Sequence, residues 1–277
     1  MSIVEINDVY KRFGAVTAVE GLSLSIDEPG VVALLGPNGA GKTTTIDMLL
    51  GLRRPTTGSV RVLGRDPSVS HVRERIGCAP QQGGVPESLR VREILEFVAA
   101  QYPRSITVKQ ALSDFSLTSY AGRQAGVLSG GELRRLTLAL AFIGKPDLVF
   151  LDEPTNGLDV EARRSVWEYI RAYASGGGTI LLTTHHMEEA EALASRICVM
   201  NKGRLVREGT PAEIRRGGLR RVSYLDAAGA KVVTETGDSD AFVRDLVLND
   251  VPFRDLCVVE QSLEDAVLSL LEEGAAV

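Results

Sequence analysis

Leu34-Leu35-Gly36-Pro37-Asn38-Gly39-Ala40-Gly41-Lys42-Thr43-Thr44 decides the fold. It fits the phosphate-binding pattern G-x-x-x-x-G-K-[ST], with Gly36 and Gly41 as the fixed glycines. Before it, Val31-Val32-Ala33-Leu34-Leu35 is an uninterrupted apolar run, as expected of a strand buried on both faces. After it, residues 44–52 read as a helix ending near Gly51. Strand, glycine loop and helix are the context this pattern requires.

The residue types follow from the chemistry of a polyanion. Glycines let the backbone turn tightly, so the N–H groups of the loop can converge on a phosphate. The helix start adds free N–H donors and a partial positive charge. Lys42 has the reach for the β- and γ-phosphates, and the Thr43 hydroxyl suits Mg²⁺; Pro37, Asn38, Gly39, Ala40 and Thr44 complete the cradle. The bland alternative is a glycine turn with a stray lysine. A chance match in a chain of this length is on the order of one in a hundred, so a nucleoside triphosphate is the expected ligand.

The 277 residues suffice for one large domain or one domain with a small appendix. Apolar residues at 44% allow a sizeable core. The formal net charge of −5 gives nucleic-acid binding no electrostatic support, and no nucleic-acid partner is expected. No apolar run approaches the roughly 18 to 20 residues of a membrane span. The start Met1-Ser2-Ile3-Val4-Glu5 lacks the basic and apolar regions of a signal peptide. Cys78, Cys198 and Cys257 have no metal-type spacing and read as buried free thiols in a reducing cytoplasm.

Six further stretches carry candidate chemistry. Phe13, in Lys11-Arg12-Phe13-Gly14, is either a base-stacking ring or an edge aromatic. Gln81 lies in a glycine-rich loop after a strand, where it either meets a cation or water or is solvated. Leu128-Ser129-Gly130-Gly131-Glu132 opens an apolar helix; Ser129 with Glu132 fits a capping box, and a glycine-rich helix start equally suits an anion. Leu148-Val149-Phe150-Leu151-Asp152-Glu153 is a buried strand ending in two acids. That is where an open α/β sheet places its chemistry: Asp152 suits Mg²⁺ and Glu153 suits a water attacking the γ-phosphate. Asp159 reads as a helix N-cap, and His185, just past a further buried strand, residues 179–183, is either a donor to a phosphate oxygen or an ordinary surface histidine.

Residues 91–119 show helical periodicity and interrupt the strand–helix alternation. Gly217-Gly218 marks a boundary. Beyond it, three strands and two helices form a small α+β appendix without a catalytic constellation.

Together the motifs resemble the ATP-binding subunit of an ABC transporter, over residues 3–215. Leu128-Ser129-Gly130-Gly131-Glu132 resembles the signature motif of that family. Gln81 falls at the Q-loop, Asp152 and Glu153 at the Walker B acids, Asp159 at the D-loop, His185 at the switch histidine and Phe13 at the base-stacking aromatic. The narrower resemblance is to ATPases of multidrug, antibiotic and polysaccharide exporters. It implies a phosphate-loop α/β core with an antiparallel β subdomain and a helical subdomain near residues 84–130. It divides the chain into an ATPase domain, 1–217, and an accessory region, 218–277. It implies ATP and Mg²⁺ as cofactors, with Thr43, Gln81 and Asp152 at the metal and Glu153, Gln81 and His185 in catalysis. It further implies head-to-tail pairing with a second ATPase domain, in which Ser129, Gly130 and Gly131 meet the partner's nucleotide. The expected location is the inner face of the cell membrane, held there by a polytopic permease subunit. The alternative is a soluble ATPase of the same family acting on ribosomes or DNA; its relatives carry two fused ATPase domains or a long coiled coil, and neither is present.

Overall fold

The computed structural model describes residues 2–81, 84–216 and 220–273. In chain order, β1 (Val4–Phe13) and β2 (Val16–Ile26) form a hairpin, and β3 (Gly30–Leu35) enters the interior ahead of α1 (Lys42–Leu49). Then come β4 (Thr57–Val62), α2 (Ser70–Arg73), β5 (Ile76–Ala79), α3 (Val91–Ala99), α4 (Val108–Asp114) and α5 (Gly130–Phe142). β6 (Leu148–Asp152), α6 (Val160–Ser175), β7 (Thr179–Thr183) and α7 (Met187–Leu193) lead to the hairpin of β8 (Arg196–Asn201) and β9 (Arg204–Gly209). The chain ends with α8 (Pro211–Arg216), β10 (Arg220–Leu225), β11 (Lys231–Thr236), α9 (Ser239–Leu248), β12 (Arg254–Val259) and α10 (Leu263–Glu273).

The central sheet has the order β5-β6-β7-β3-β8-β9, parallel except for the β8–β9 hairpin. β1, β2 and β4 make a separate antiparallel sheet, as do β10, β11 and β12. The apolar runs of β3, β6 and β7 are explained by two cores. Val31, Ala33, Leu35, Val149, Leu151, Ile180 and Leu182 face the helices α5 and α6. Val32, Leu34, Leu148, Phe150 and Leu181 face α1 and the β1–β2 sheet. Alternate side chains point to opposite faces of a strand, so a run apolar at every position is what two covered faces demand.

Several boundaries differ from expectation. α1 begins at Lys42 rather than at Thr44, because Gly41, in the left-handed conformation at φ 99°, serves as its N-cap. The helical stretch 91–119 is two helices, α3 and α4, with Pro103 between them. Proline lacks the N–H that a continuing helix would use. α2 was not anticipated, and of the three cysteines expected to be buried Cys198 is, Cys78 is half-buried and Cys257 is exposed. Gln82, Gly83 and the expected boundary Gly217-Gly218 lie outside the described residues. α10 returns to the main core: Leu263, Ala266 and Val267 are buried there, and Asn201 Nδ2 donates to Leu271 O at 3.1 Å.

Candidate functional site

The phosphate loop leaves the end of β3 with little room for side chains. A Cβ on Gly36 (φ 149°) would stand 2.2 Å from Met200 O, and one on Gly41 would stand 2.5 Å from Ala18 O. Both glycines are therefore required sterically as well as conformationally. Lys42 Nζ donates to Gly36 O at 2.7 Å and to Pro37 O at 3.1 Å. Two of its three donors fold it over the loop, which leaves one for a phosphate oxygen. Burial pulls the ammonium pKa below its ordinary value, and the carboxylates of Glu153 and Asp152 oppose that pull. Thr43 is exposed at the first turn of α1 and Thr44 is half-buried. Thr45, fully buried, instead bonds back to Gly41 O at 3.0 Å.

Asp152 ends β6 and is paired in register with Thr183 at the end of β7. The Thr183 hydroxyl donates to Asp152 Oδ1. Glu153 N–H meets Thr183 O at 3.0 Å and Thr183 Oγ1 at 3.2 Å. Glu153 takes φ 54°, a left-handed conformation that costs a residue with a side chain about 1 to 3 kcal/mol. Its carboxylate is almost wholly buried, and Oε2 lies 2.8 Å from His185 Nδ1. The two meet by distance without an aligned hydrogen bond, so this buried oxygen lacks a hydrogen-bond donor. His185 is exposed and tilts against the His186 ring, with centroids 4.0 Å apart.

Gln81, Gly130, Glu153, Asn156 and Gly157 line one cavity of about 280 Å³. Ser129 caps α5: its Oγ accepts from Glu132 N at 3.3 Å, while Ser129 N donates to Glu132 Oε2 at 2.7 Å. Gly131 approaches Gly157 so closely that a Cβ would stand 3.3 Å from Gly157 O. Asp159 Oδ1 caps α6 through Ala162 N at 2.8 Å. Phe13 is 41% exposed at the end of β1, with Lys11 Nζ 5.1 Å and Arg53 Cζ 5.2 Å from its ring centre. Arg53 in turn pairs with Asp47 of α1 at 2.7 Å, which connects this ring to the phosphate-loop helix. The loop, the two acids, Gln81 and His185 thus converge at the ends of β3, β5, β6 and β7; Phe13 stands off on the antiparallel sheet.

Two functional-looking residues escaped the sequence reading. Thr183 was visible only as the last residue of a strand. Arg134 is 8% exposed and donates to Pro80 O (2.6 Å), Asp152 O (2.6 Å), Glu153 O (3.0 Å) and Pro154 O (3.0 Å). Its signal was its register with Leu138 and Ala141, both buried, on the inner stripe of α5.

The family model described as "ABC transporter" matches residues 19–156. The chain is 45% identical over 216 residues to "Nod factor export ATP-binding protein I" of Burkholderia lata, covering 75% of this chain and 71% of that one. The protein of the same description from Ralstonia nicotianae is 41% identical over 219 residues, covering 76% and 68%. A solved structure, "Structure of ATP binding subunit of ABC transporter", superposes with TM-score 0.73 at 28% identity, covering 78% of this chain and 92% of that chain. A dimeric bacterial ABC transporter cassette shares the fold at TM-score 0.68 and 24% identity, over 75% of this chain and 98% of its own. Phosphate loop, strand-end acids and relatives agree: the chain belongs to the ABC transporter family and is an ATP-binding, ATP-hydrolysing domain of it.

Proposed function

We propose that this ATPase powers export of a hydrophobic or polymeric compound through a separate membrane permease, pairing with a second ATPase domain. What carries the reading is the strand-end cluster of Lys42, Asp152, Glu153 and His185, set beside relatives described as export ATP-binding proteins. Among the described residues no helix is long and apolar enough to cross a membrane.

In this reading the backbone N–H groups of residues 38–44 and the Lys42 ammonium bind the β- and γ-phosphates, and Phe13 stacks on the base. Thr43, Gln81 and Asp152 would hold Mg²⁺. A hydroxyl, an amide and a carboxylate are hard oxygen donors of the kind Mg²⁺ takes alongside substrate phosphates. The cation supplies charge neutralisation at the phosphates. Glu153 accepts a proton from the attacking water; its unsatisfied Oε2 suits an acceptor of that kind. His185 donates to the γ-phosphate from its place beside Glu153. Ser129, Gly130 and Gly131 contact the nucleotide of the partner domain, and Asp159 lies at the same junction. Binding closes the pair, and hydrolysis with product release reopens it.

Affinity recovery of this protein from detergent-solubilised membranes of its source, with ATP present, tests the reading. Specific recovery of a polytopic membrane protein is expected. Recovery of ribosomes or DNA complexes without a membrane partner would overturn the transport role and leave the ATP site intact.

A further inference from the structure

Arg134 touches no reacting group, yet its guanidinium is spent on the backbone that carries them. We propose that Arg134 is a positioning residue for ATP hydrolysis, fixing the backbone that aims the Glu153 carboxylate. The proposal rests on the role assigned to Glu153 above.

Glu153 sits at φ 54°, a region that a residue with a side chain rarely adopts. Such a conformation persists only when its surroundings over-determine it. On one side, Thr183 holds the Glu153 N–H through its carbonyl and its hydroxyl. On the other, Arg134 Nη2 donates to Asp152 O and Glu153 O, and Nε donates to Pro154 O. The carbonyls before and after the Glu153 Cα are thus held by one rigid fork; Asn156 N adds a bond to Glu153 O at 3.2 Å. Nη1 donates to Pro80 O, the carbonyl directly before Gln81. A single planar group therefore ties α5 to the ends of β5 and β6. Lysine cannot copy this: an ammonium is a point charge, while a guanidinium directs several donors in one plane. The buried cation is kept company by the carboxylates of Asp152, Glu189 and Glu153.

A merely structural arginine would lower activity only as the folded fraction falls. A positioning arginine lowers kcat in protein that is fully folded. The test uses the full chain with Arg134→Lys and Arg134→Gln, assayed well below each measured Tm. Expected is a fall in kcat of about 10- to 100-fold for Arg134→Lys, with KM and the Kd of a fluorescent ATP analogue within about two-fold of wild type. In a Glu153→Gln background, adding Arg134→Lys should change the residual single-turnover rate by less than about two-fold, since the arginine acts through the missing carboxylate. An unchanged kcat in Arg134→Lys overturns the proposal, as does an equal loss with and without Glu153. So does failure of both variants to fold, which assigns a structural role alone. In each case the role of Glu153 survives, because Glu153→Gln alone tests it. Wild-type turnover in Glu153→Gln would remove that role and this proposal together.

Discussion

The end of β6 and the start of α5 border the same cavity, yet they are held in opposite ways. Asp152 and Glu153 are buried, and their bonds come from far along the chain: Thr183 of β7 and Arg134 of α5. Ser129 and Gly130 are exposed, and the capping hydrogen bonds of α5 run between Ser129 and Glu132, with Tyr120 adding one to the Glu132 carboxylate. The difference separates a surface the fold has finished from one it presents. The acids need the whole domain to be placed. The helix start is capped by its own first turn and the segment just before it, so its outward donors remain available to another molecule.

Four variants would break or sharpen that contrast. Glu153→Gln should lower turnover by about 10²- to 10⁴-fold while ATP affinity is kept, read by phosphate release and equilibrium binding. Undiminished turnover would erase the distinction at once. Lys42→Ala should weaken ATP binding by about 10- to 100-fold, because a charge-assisted contact to phosphate disappears; titration with a fluorescent nucleotide decides. Ser129→Ala should cost about 1 kcal/mol in urea unfolding through the lost cap. It should also lower turnover while leaving the nucleotide affinity of the monomer unchanged. A matching loss of monomer affinity would show that this helix start serves its own nucleotide instead.

The smallest effect concerns acid. The Ser129 N–H bond to the Glu132 carboxylate, helped by Tyr120, holds its pKa below the ordinary 4.5. A lowered folded pKa means the cap contributes above that ordinary value and is lost as pH falls through the folded one. Glu132→Gln keeps the box and removes the titration. Its urea midpoint should therefore fall slightly less than that of wild type between about pH 6 and pH 3. Parallel curves would remove Glu132 from the account.

Elements written in one local pattern were legible in advance. β3, β6 and β7 are apolar runs long enough to need two covered faces, and the capping box of Ser129 with Glu132 was visible as spacing. The phosphate loop was legible because its glycines answer a backbone demand, as Gly36 against Met200 O makes plain. Arg134 was faintly legible at best: an arginine in a helix usually lies on the wet face, its register with Leu138 and Ala141 was the one hint, and the packing of α5 on β5 and β6 turns it inward. The left-handed Glu153 was hidden for a related reason: nothing in the dipeptide Asp152-Glu153 states a φ angle. The return of α10 to the core was equally invisible, since an amphipathic helix declares that it must be covered but not by what.

The place of β3 in the sheet has a consequence for how the protein comes into being. Its two neighbours, β7 and β8, are synthesised long after it. The strand that carries the phosphate loop therefore leaves the ribosome with an apolar run and both edges unpaired. Long-range parallel pairing of this kind is slow to form and open to aggregation in the meantime. The phosphate loop, made early, is thus among the last parts of the nucleotide site to be secured, and chaperone dependence should centre on the interval before β8 emerges.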